Sequence, residues 1–76
     1  MSHVNYEEID SRIIDLVIKE KTNKEIAEII GYSTGLVKFR LLFLFRKYHV
    51  KTKAGLVREV MTENFKCLTN RHLQMV

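Results

Sequence analysis

The residues best suited to chemistry lie in the stretch KFRLLFLFRK, from Lys38 to Lys47. Lys38, Arg46 and Lys47 are long cations that could bind phosphate groups or the edges of guanine bases. Phe39 and Leu42 stand between them and could contact the methyl groups of thymine. The segment is therefore suited to binding a nucleic acid, and its simplest alternative is a basic face that only water covers.

The positive charge of the chain is concentrated in its middle. The 76 residues carry 13 Lys and Arg and 9 Asp and Glu, a net charge of +4. Residues 21–53 hold 8 basic and 2 acidic side chains, against 2 and 5 in residues 1–20 and 3 and 2 in residues 54–76. A middle segment with a net charge of +6 is the expected footprint of a partner with a phosphate backbone.

Other kinds of chemistry are poorly represented. No nucleophile stands near a base, and no glycine-rich phosphate loop is present, so we expect the chain not to be an enzyme. Cys67 is the single cysteine and the three histidines are scattered, so neither a disulfide, a metal nor a cofactor is expected. The longest apolar run is the five residues from Leu41 to Phe45, and no signal-peptide pattern opens the chain. These features predict a cytoplasmic protein with no membrane partner.

Helical spacing of apolar residues recurs along the whole chain and predicts a single all-α domain over residues 1–76. Residues 69–76 follow no clear pattern. The predicted helices cover about residues 6–20, 23–30, 34–48 and 53–68.

Local signals mark the junction between the second and third predicted helices. Thr22 followed by Glu25 is a capping box, and Gly31 suits the left-handed residue that ends a helix. Ser33, two residues later, is the N-cap candidate of the next helix. Two helices joined by so tight a turn, the second longer and more basic, make a helix-turn-helix arrangement.

The segment TNKEIAEIIGYSTGLVKFRLLFLFRKYHVKTKAGLV, from Thr22 to Val57, closely resembles the DNA-binding domain of LuxR-type regulators, also called the GerE family. One departure from the family pattern is Glu20, which replaces a customary glycine. The resemblance implies four helices, the third in the major groove of DNA and the fourth commonly forming a two-fold dimer. The matching residues are the run from Asn23 to Ala27, Ser33, Val37, Lys38, Leu44, Lys47 and Val50.

Candidate DNA contacts come from several parts of this segment. Backbone N–H groups at the starts of the second and third helices attract phosphate, and Lys51 and Lys53 add charge before the fourth. The predicted core stripe of the third helix comprises Val37, Leu41, Leu44 and Tyr48. Arg40 falls at the edge of this stripe, where a phosphate contact and an ion pair with Asp10 are equal alternatives. The full candidate set is Thr22, Asn23, Lys24, Ser33, Thr34, Lys38, Phe39, Arg40, Leu42, Arg46, Lys47, Lys51 and Lys53.

The fourth predicted helix carries more apolar side chains than a three-helix core needs. Ile14 and Ile18, on the opposite flank of the first helix from Ile9 and Leu16, add further apolar area that a partner could share. We therefore expect a homodimer. The predicted dimer interface comprises Val57, Val60, Met61 and Leu68.

Two functions remain open on these residues. The first is a stand-alone, dimeric transcription regulator that binds double-stranded DNA in a sequence-specific way. The second is a non-enzymatic interaction module on the same scaffold, which binds and inhibits another regulatory protein through Phe39, Leu42 and Phe43. For Phe43 itself, contact with DNA, contact with a protein and burial in the core are equal alternatives.

Overall fold

A computed structural model of the chain describes the backbone of residues 5–74 and the side chains of residues 5–63. Within these residues the all-α class is confirmed, because the described backbone forms helices and no strand. No described helix is both long enough and apolar enough to cross a bilayer. The four helices are α1 (Tyr6–Ile18), α2 (Asn23–Ile30), α3 (Thr34–Tyr48) and α4 (Lys53–Gln74).

The observed boundaries agree with the predicted ones for α2 and α3 and differ at two other places. The first helix ends at Ile18 and not at residue 20, and the fourth continues past residue 68 to Gln74. Residues 69–74, which follow no sequence pattern, are therefore helical in their backbone.

One apolar core joins the four helices. Ile13, Ile26, Val37 and Leu56 are fully buried, and each comes from a different helix. Ala27, on the inner face of α2, is also buried, and its small side chain permits the close crossing of a helix-turn-helix. The core thus fixes α3 against the other helices through one edge of that helix.

Each of the first three helices begins with a side-chain cap. At α2 the hydroxyl of Thr22 accepts a hydrogen bond from the N–H of Glu25 at 3.1 Å, and the N–H of Thr22 donates to the Glu25 carboxylate at 2.8 Å. That backbone hydrogen bond lowers the pKa of Glu25. Because the pKa is lower in the folded state, the contribution of this carboxylate to stability is present above the ordinary glutamate pKa and is lost as the pH falls through the folded value. At α1 and α3 the side-chain oxygens of Asn5 and Ser33 each accept one hydrogen bond from a backbone N–H, without a reciprocal bond.

The C-terminal ends of the same helices all close on a residue in the left-handed backbone region. These residues are Glu20 (φ 62°), Gly31 (φ 78°) and His49 (φ 58°). After α1 the N–H of Glu20 donates to the carbonyl of Val17 at 2.9 Å, and that of Lys21 donates to Leu16 at 3.0 Å. This is the Schellman motif, which normally favours glycine at the left-handed position. Glu20 therefore occupies a backbone conformation that costs a residue with a Cβ about 1 kcal/mol.

We expect Glu20→Gly to raise the free energy of unfolding by about 0.5 kcal/mol, because relief of left-handed strain exceeds the extra chain entropy that glycine has when unfolded. Urea denaturation followed by circular dichroism measures the change. The matched control is Glu28→Gly, which places glycine inside α2 and should lower stability by about 1 kcal/mol. The interpretation fails if the two substitutions change stability in the same direction.

Candidate nucleic-acid interface

Helix α3 has a buried edge and a wide exposed face. Val37, Leu41 and Leu44 are buried, as the predicted core stripe requires, and Tyr48 at the end of that stripe is half-buried. The opposite face is centred on a line of residues at spacings of four, three and four, which we call the outer stripe. The outer stripe consists of Gly35, Phe39, Leu42 and Arg46, and all four are exposed.

Cationic groups flank the outer stripe without any acidic neighbour on the same helix. The α3 sequence TGLVKFRLLFLFRKY contains no Asp or Glu. Lys38 is exposed beside Leu42, while the exposed Lys47 lies on the side of α3 that faces α1, its ammonium 5.8 Å from the Tyr48 ring. Lys38, beside the outer stripe, and Arg46, its last member, are therefore the cations best placed on this face.

The N-terminal ends of α2 and α3 present backbone donors. An α-helix leaves its first N–H groups without a partner inside the helix, and those of Asn23 and Lys24 in α2 and of Thr34 in α3 are of this kind. The hydroxyl oxygens of Thr22 and Ser33 accept the capping hydrogen bonds. The O–H of each can still donate to a phosphate oxygen. Both ends are thus suited to an anion.

A groove of about 440 Å³ brings five of the predicted DNA contacts together. Lys53 is the first residue of α4, where the predicted fourth helix also begins, and Lys51 lies in the connection before it. Leu41, Phe45 and Thr52 complete the lining of the groove. The predicted contacts around it are Asn23, Lys38, Leu42, Lys51 and Lys53, from α2, α3 and the start of α4.

Arg40 is not part of the exposed surface, and its prediction as a DNA contact is corrected. Its Nε donates to Asp10 Oδ1 at 2.8 Å and its Nη2 donates to Asp10 Oδ2 at 2.7 Å. The two side chains are only 10% and 13% exposed. Of the two alternatives for Arg40, the structure therefore contains the ion pair. The hydrogen bonds to Asp10 raise the pKa of Arg40, which stays charged.

Two aromatic rings enclose the guanidinium of Arg40. Its Cζ lies 4.7 Å from the centre of the Tyr6 ring and 4.3 Å from that of Phe43. Phe43 is 46% exposed, so it is neither a core residue nor a free surface group. Sequence reasoning did not select Tyr6, although its position four residues before Asp10 places both on one face of α1. These four residues, Tyr6, Asp10, Arg40 and Phe43, form what we call the α1–α3 clamp.

The predicted dimer residues are divided between the core and the surface. Val57 and Val60 are half-buried and pack against the core, whereas Met61 is exposed. Leu68 lies outside the residues whose side chains the structure describes. Ile14 and Ile18 are half-buried, and both line a groove of about 450 Å³ together with Val60. The apolar surface of α4 is therefore continuous with the apolar flank of α1.

Among the described residues, no three His, Cys, Asp or Glu side chains come close enough to hold a metal ion.

Known proteins give no further guidance to the role of this surface. Comparisons with models of protein families, with curated proteins and with solved structures found no match. The chemistry of α3 and its surroundings therefore carries the functional proposal.

Proposed function

We propose that the chain is a non-enzymatic, sequence-specific DNA-binding regulator of transcription, with α3 in the major groove. The observation that carries the proposal is the exposed face of α3, which combines Lys38 and Arg46 with a complete absence of acidic side chains on the helix. An α-helix fits the major groove, and long cations reach both phosphates and guanine edges there. The resemblance of residues 22–57 to LuxR-type DNA-binding domains supports the same orientation.

Phosphate contacts around α3 would fix its register on the duplex. The free N–H groups at the starts of α2 and α3 and the lysines around the 440 Å³ groove lie beside the same helix. Phosphate contacts of this type position a protein and carry no sequence information. Specificity in this proposal therefore belongs to the side chains of the outer stripe that face the bases, and affinity belongs to the cations of α3, the groove and the helix ends.

The proposal includes a homodimer formed through α4. Met61 is an exposed apolar residue beside the half-buried Val57 and Val60, and the flank of α1 with Ile14 and Ile18 extends the same apolar area. A two-fold dimer would present two copies of α3 to two half-sites of DNA.

We expect Met61→Asp to shift the protein from dimer to monomer, because a buried unpaired carboxylate at the interface is strongly unfavourable. Sedimentation equilibrium measures the change in the dissociation constant. Thr62→Asp, the same new charge one residue along α4 on another face, is the matched control and should leave assembly unchanged. A wild-type protein that stays monomeric at high concentration contradicts the dimer.

A second candidate function is supported by one specific observation. Phe39, Leu42 and Phe43 are 62%, 58% and 46% exposed and lie on neighbouring turns of α3. Contiguous exposed apolar surface often marks a site for another protein. In this alternative the chain would bind and inhibit another regulator through that surface. The absence of acids on α3 and the free helix ends favour DNA, because a protein partner requires neither.

A salt series with the wild-type protein tests the proposal. Fluorescence anisotropy with random-sequence duplex DNA should give a log affinity that falls linearly with log salt, because each neutralised phosphate releases counterions. Little binding even at low salt would overturn the proposal and favour the protein-docking alternative.

A further inference from the structure

The middle of the outer stripe is apolar, although it lies on the most basic helix. Phe39 and Leu42 are the most exposed large hydrophobic residues among the described side chains, at 62% and 58%. They are three residues apart and therefore adjacent on one face of α3. Neither side chain has a hydrogen-bond donor or acceptor, so neither can read the polar edge of a base pair.

Phe39 and Leu42 are both more exposed than Phe43. The Phe43 ring is engaged with the guanidinium of Arg40 at 4.3 Å in the α1–α3 clamp. Leu42 borders the 440 Å³ groove beside Lys38, and Phe39 lies between Gly35 and Arg46 on the outer stripe. A partner of the outer stripe must therefore cover two apolar groups. The same partner must also carry negative charges nearby that can meet Lys38 and Arg46.

Gly35 leaves the first turn of the same stripe without a side chain. A Cβ at this position would meet only the Ser33 hydroxyl, at 3.8 Å, and the backbone there is not left-handed. Neither packing nor conformation inside the molecule requires glycine at this point. A flat first turn lets the N-terminal end of α3 approach another surface closely.

The major groove of DNA offers both features that the outer stripe needs. Its walls carry phosphates, and thymine displays a C5 methyl group, whereas a G·C pair has no methyl group and presents mainly hydrogen-bonding groups at its edge. Covering a methyl group with an apolar side chain is favourable, and covering an unpaired polar edge is not. The stripe should thus prefer A·T pairs to G·C pairs.

We propose that Phe39 and Leu42 read the C5 methyl groups of thymine, so that α3 selects A·T pairs at the centre of its site. Lys38 and Arg46 hold the surrounding phosphates and keep the two apolar groups over the base edges. This inference rests on the proposed function as a DNA-binding protein, and it assigns the specificity of that function to two side chains.

Removal of the methyl group alone provides the test. Anisotropy is measured on duplexes of alternating dA and dT and on matched duplexes in which every dT is replaced by dU, which keeps the phosphates and the base pairing. We expect the dU duplex to bind about fourfold more weakly for each methyl group that α3 covers. Duplexes of alternating dG and dC, with and without a methyl group at C5 of dC, test the converse and should bind more tightly when methylated.

Two variants show whether these side chains cause the difference. The double variant Phe39→Ala with Leu42→Ala should bind the dT and dU duplexes equally, and it should keep its helical circular dichroism because both residues are exposed. Lys38→Ala with Arg46→Ala should weaken binding to both duplexes and leave their ratio unchanged.

The outcomes separate this inference from the proposed function. Equal binding of the wild-type protein to the dT and dU duplexes, with a normal salt dependence, overturns methyl readout and leaves DNA binding standing. A preference for dT that survives in the Phe39 and Leu42 double variant also overturns it. No binding to any duplex at low salt overturns both and favours a protein partner for the outer stripe.

Discussion

Replacement of Lys38 and Arg46 together by alanine is expected to lower the affinity for duplex DNA about a hundredfold at low salt. Each side chain is taken to form one charge-assisted contact with DNA, and one such contact contributes roughly a factor of ten. The slope of log affinity against log salt should become shallower by about 2, because about one counterion is released for each phosphate neutralised. Anisotropy with random-sequence duplex DNA across a salt series measures both quantities.

The control for this experiment removes the same charge from another part of the chain. Arg12 lies on α1 and Lys19 caps its C-terminal end; both are exposed, and replacing both by alanine lowers the net charge by the same amount. This variant should keep most of its affinity and its salt slope. If the two double variants lose affinity equally, the protein attracts DNA only through its overall charge and α3 has no special position.

Removal of the carboxylate at position 10 is expected to cost the fold far more than removal of any exposed acid. Asp10→Ala should lower the free energy of unfolding by about 3 kcal/mol, because it leaves the buried Arg40 cation unpaired. In a domain of this size that is a large share of the total stability. Urea denaturation followed by circular dichroism measures the loss.

Helix α1 contains its own matched control for this substitution. Asp15 pairs with Lys19 at 3.0 Å, but the two side chains are 60% and 61% exposed. Asp15→Ala should therefore cost no more than about 0.5 kcal/mol. Equal losses of unfolding free energy for Asp10→Ala and Asp15→Ala would show that the buried ion pair of the α1–α3 clamp contributes no more to stability than an exposed one. Replacement of both Asp10 and Arg40 by leucine and methionine should recover most of the stability, because no buried charge then lacks a partner.

The sequence was sufficient to predict those parts of the fold that local signals determine. The capping box at Thr22 and the glycine at Gly31 correctly predict the two ends of α2, and Ser33 correctly predicts the start of α3. The end of α1 was missed because Glu20 holds a left-handed backbone without being a glycine. The extent of α4 was missed because the apolar spacing that predicts the helix stops at residue 68, although no glycine or proline follows to end it.

The candidate site was predictable only where the helical period decides exposure. Lys38, Phe39, Leu42 and Arg46 are exposed, as their spacing from Val37 and Leu41 requires. The same period places Arg40 at the edge of the core stripe, where a small rotation decides between solvent and burial.

The sequence left an ion pair with Asp10 open as one of two alternatives for Arg40, but the period of a single helix could not choose between them. The Asp10 carboxylate lies 30 residues away from Arg40 in sequence, and only the crossing of α1 and α3 brings the two together. The same crossing brings the Tyr6 ring against the Arg40 guanidinium, and it leaves Phe43 half exposed on the other side of that group. A periodicity within one helix contains no information about any of these contacts.

The short connections between the helices bear on how quickly the chain reaches its native state. Residues 19–22, 31–33 and 49–52 are all that separate one helix from the next. Native contacts between neighbouring helices are thus close in sequence, and helical domains of this type fold within microseconds to milliseconds. The chain also contains no proline, so no slow peptide isomerisation delays it. A newly made molecule should be competent within a time that is negligible beside its own translation, and its activity should follow its synthesis without a lag.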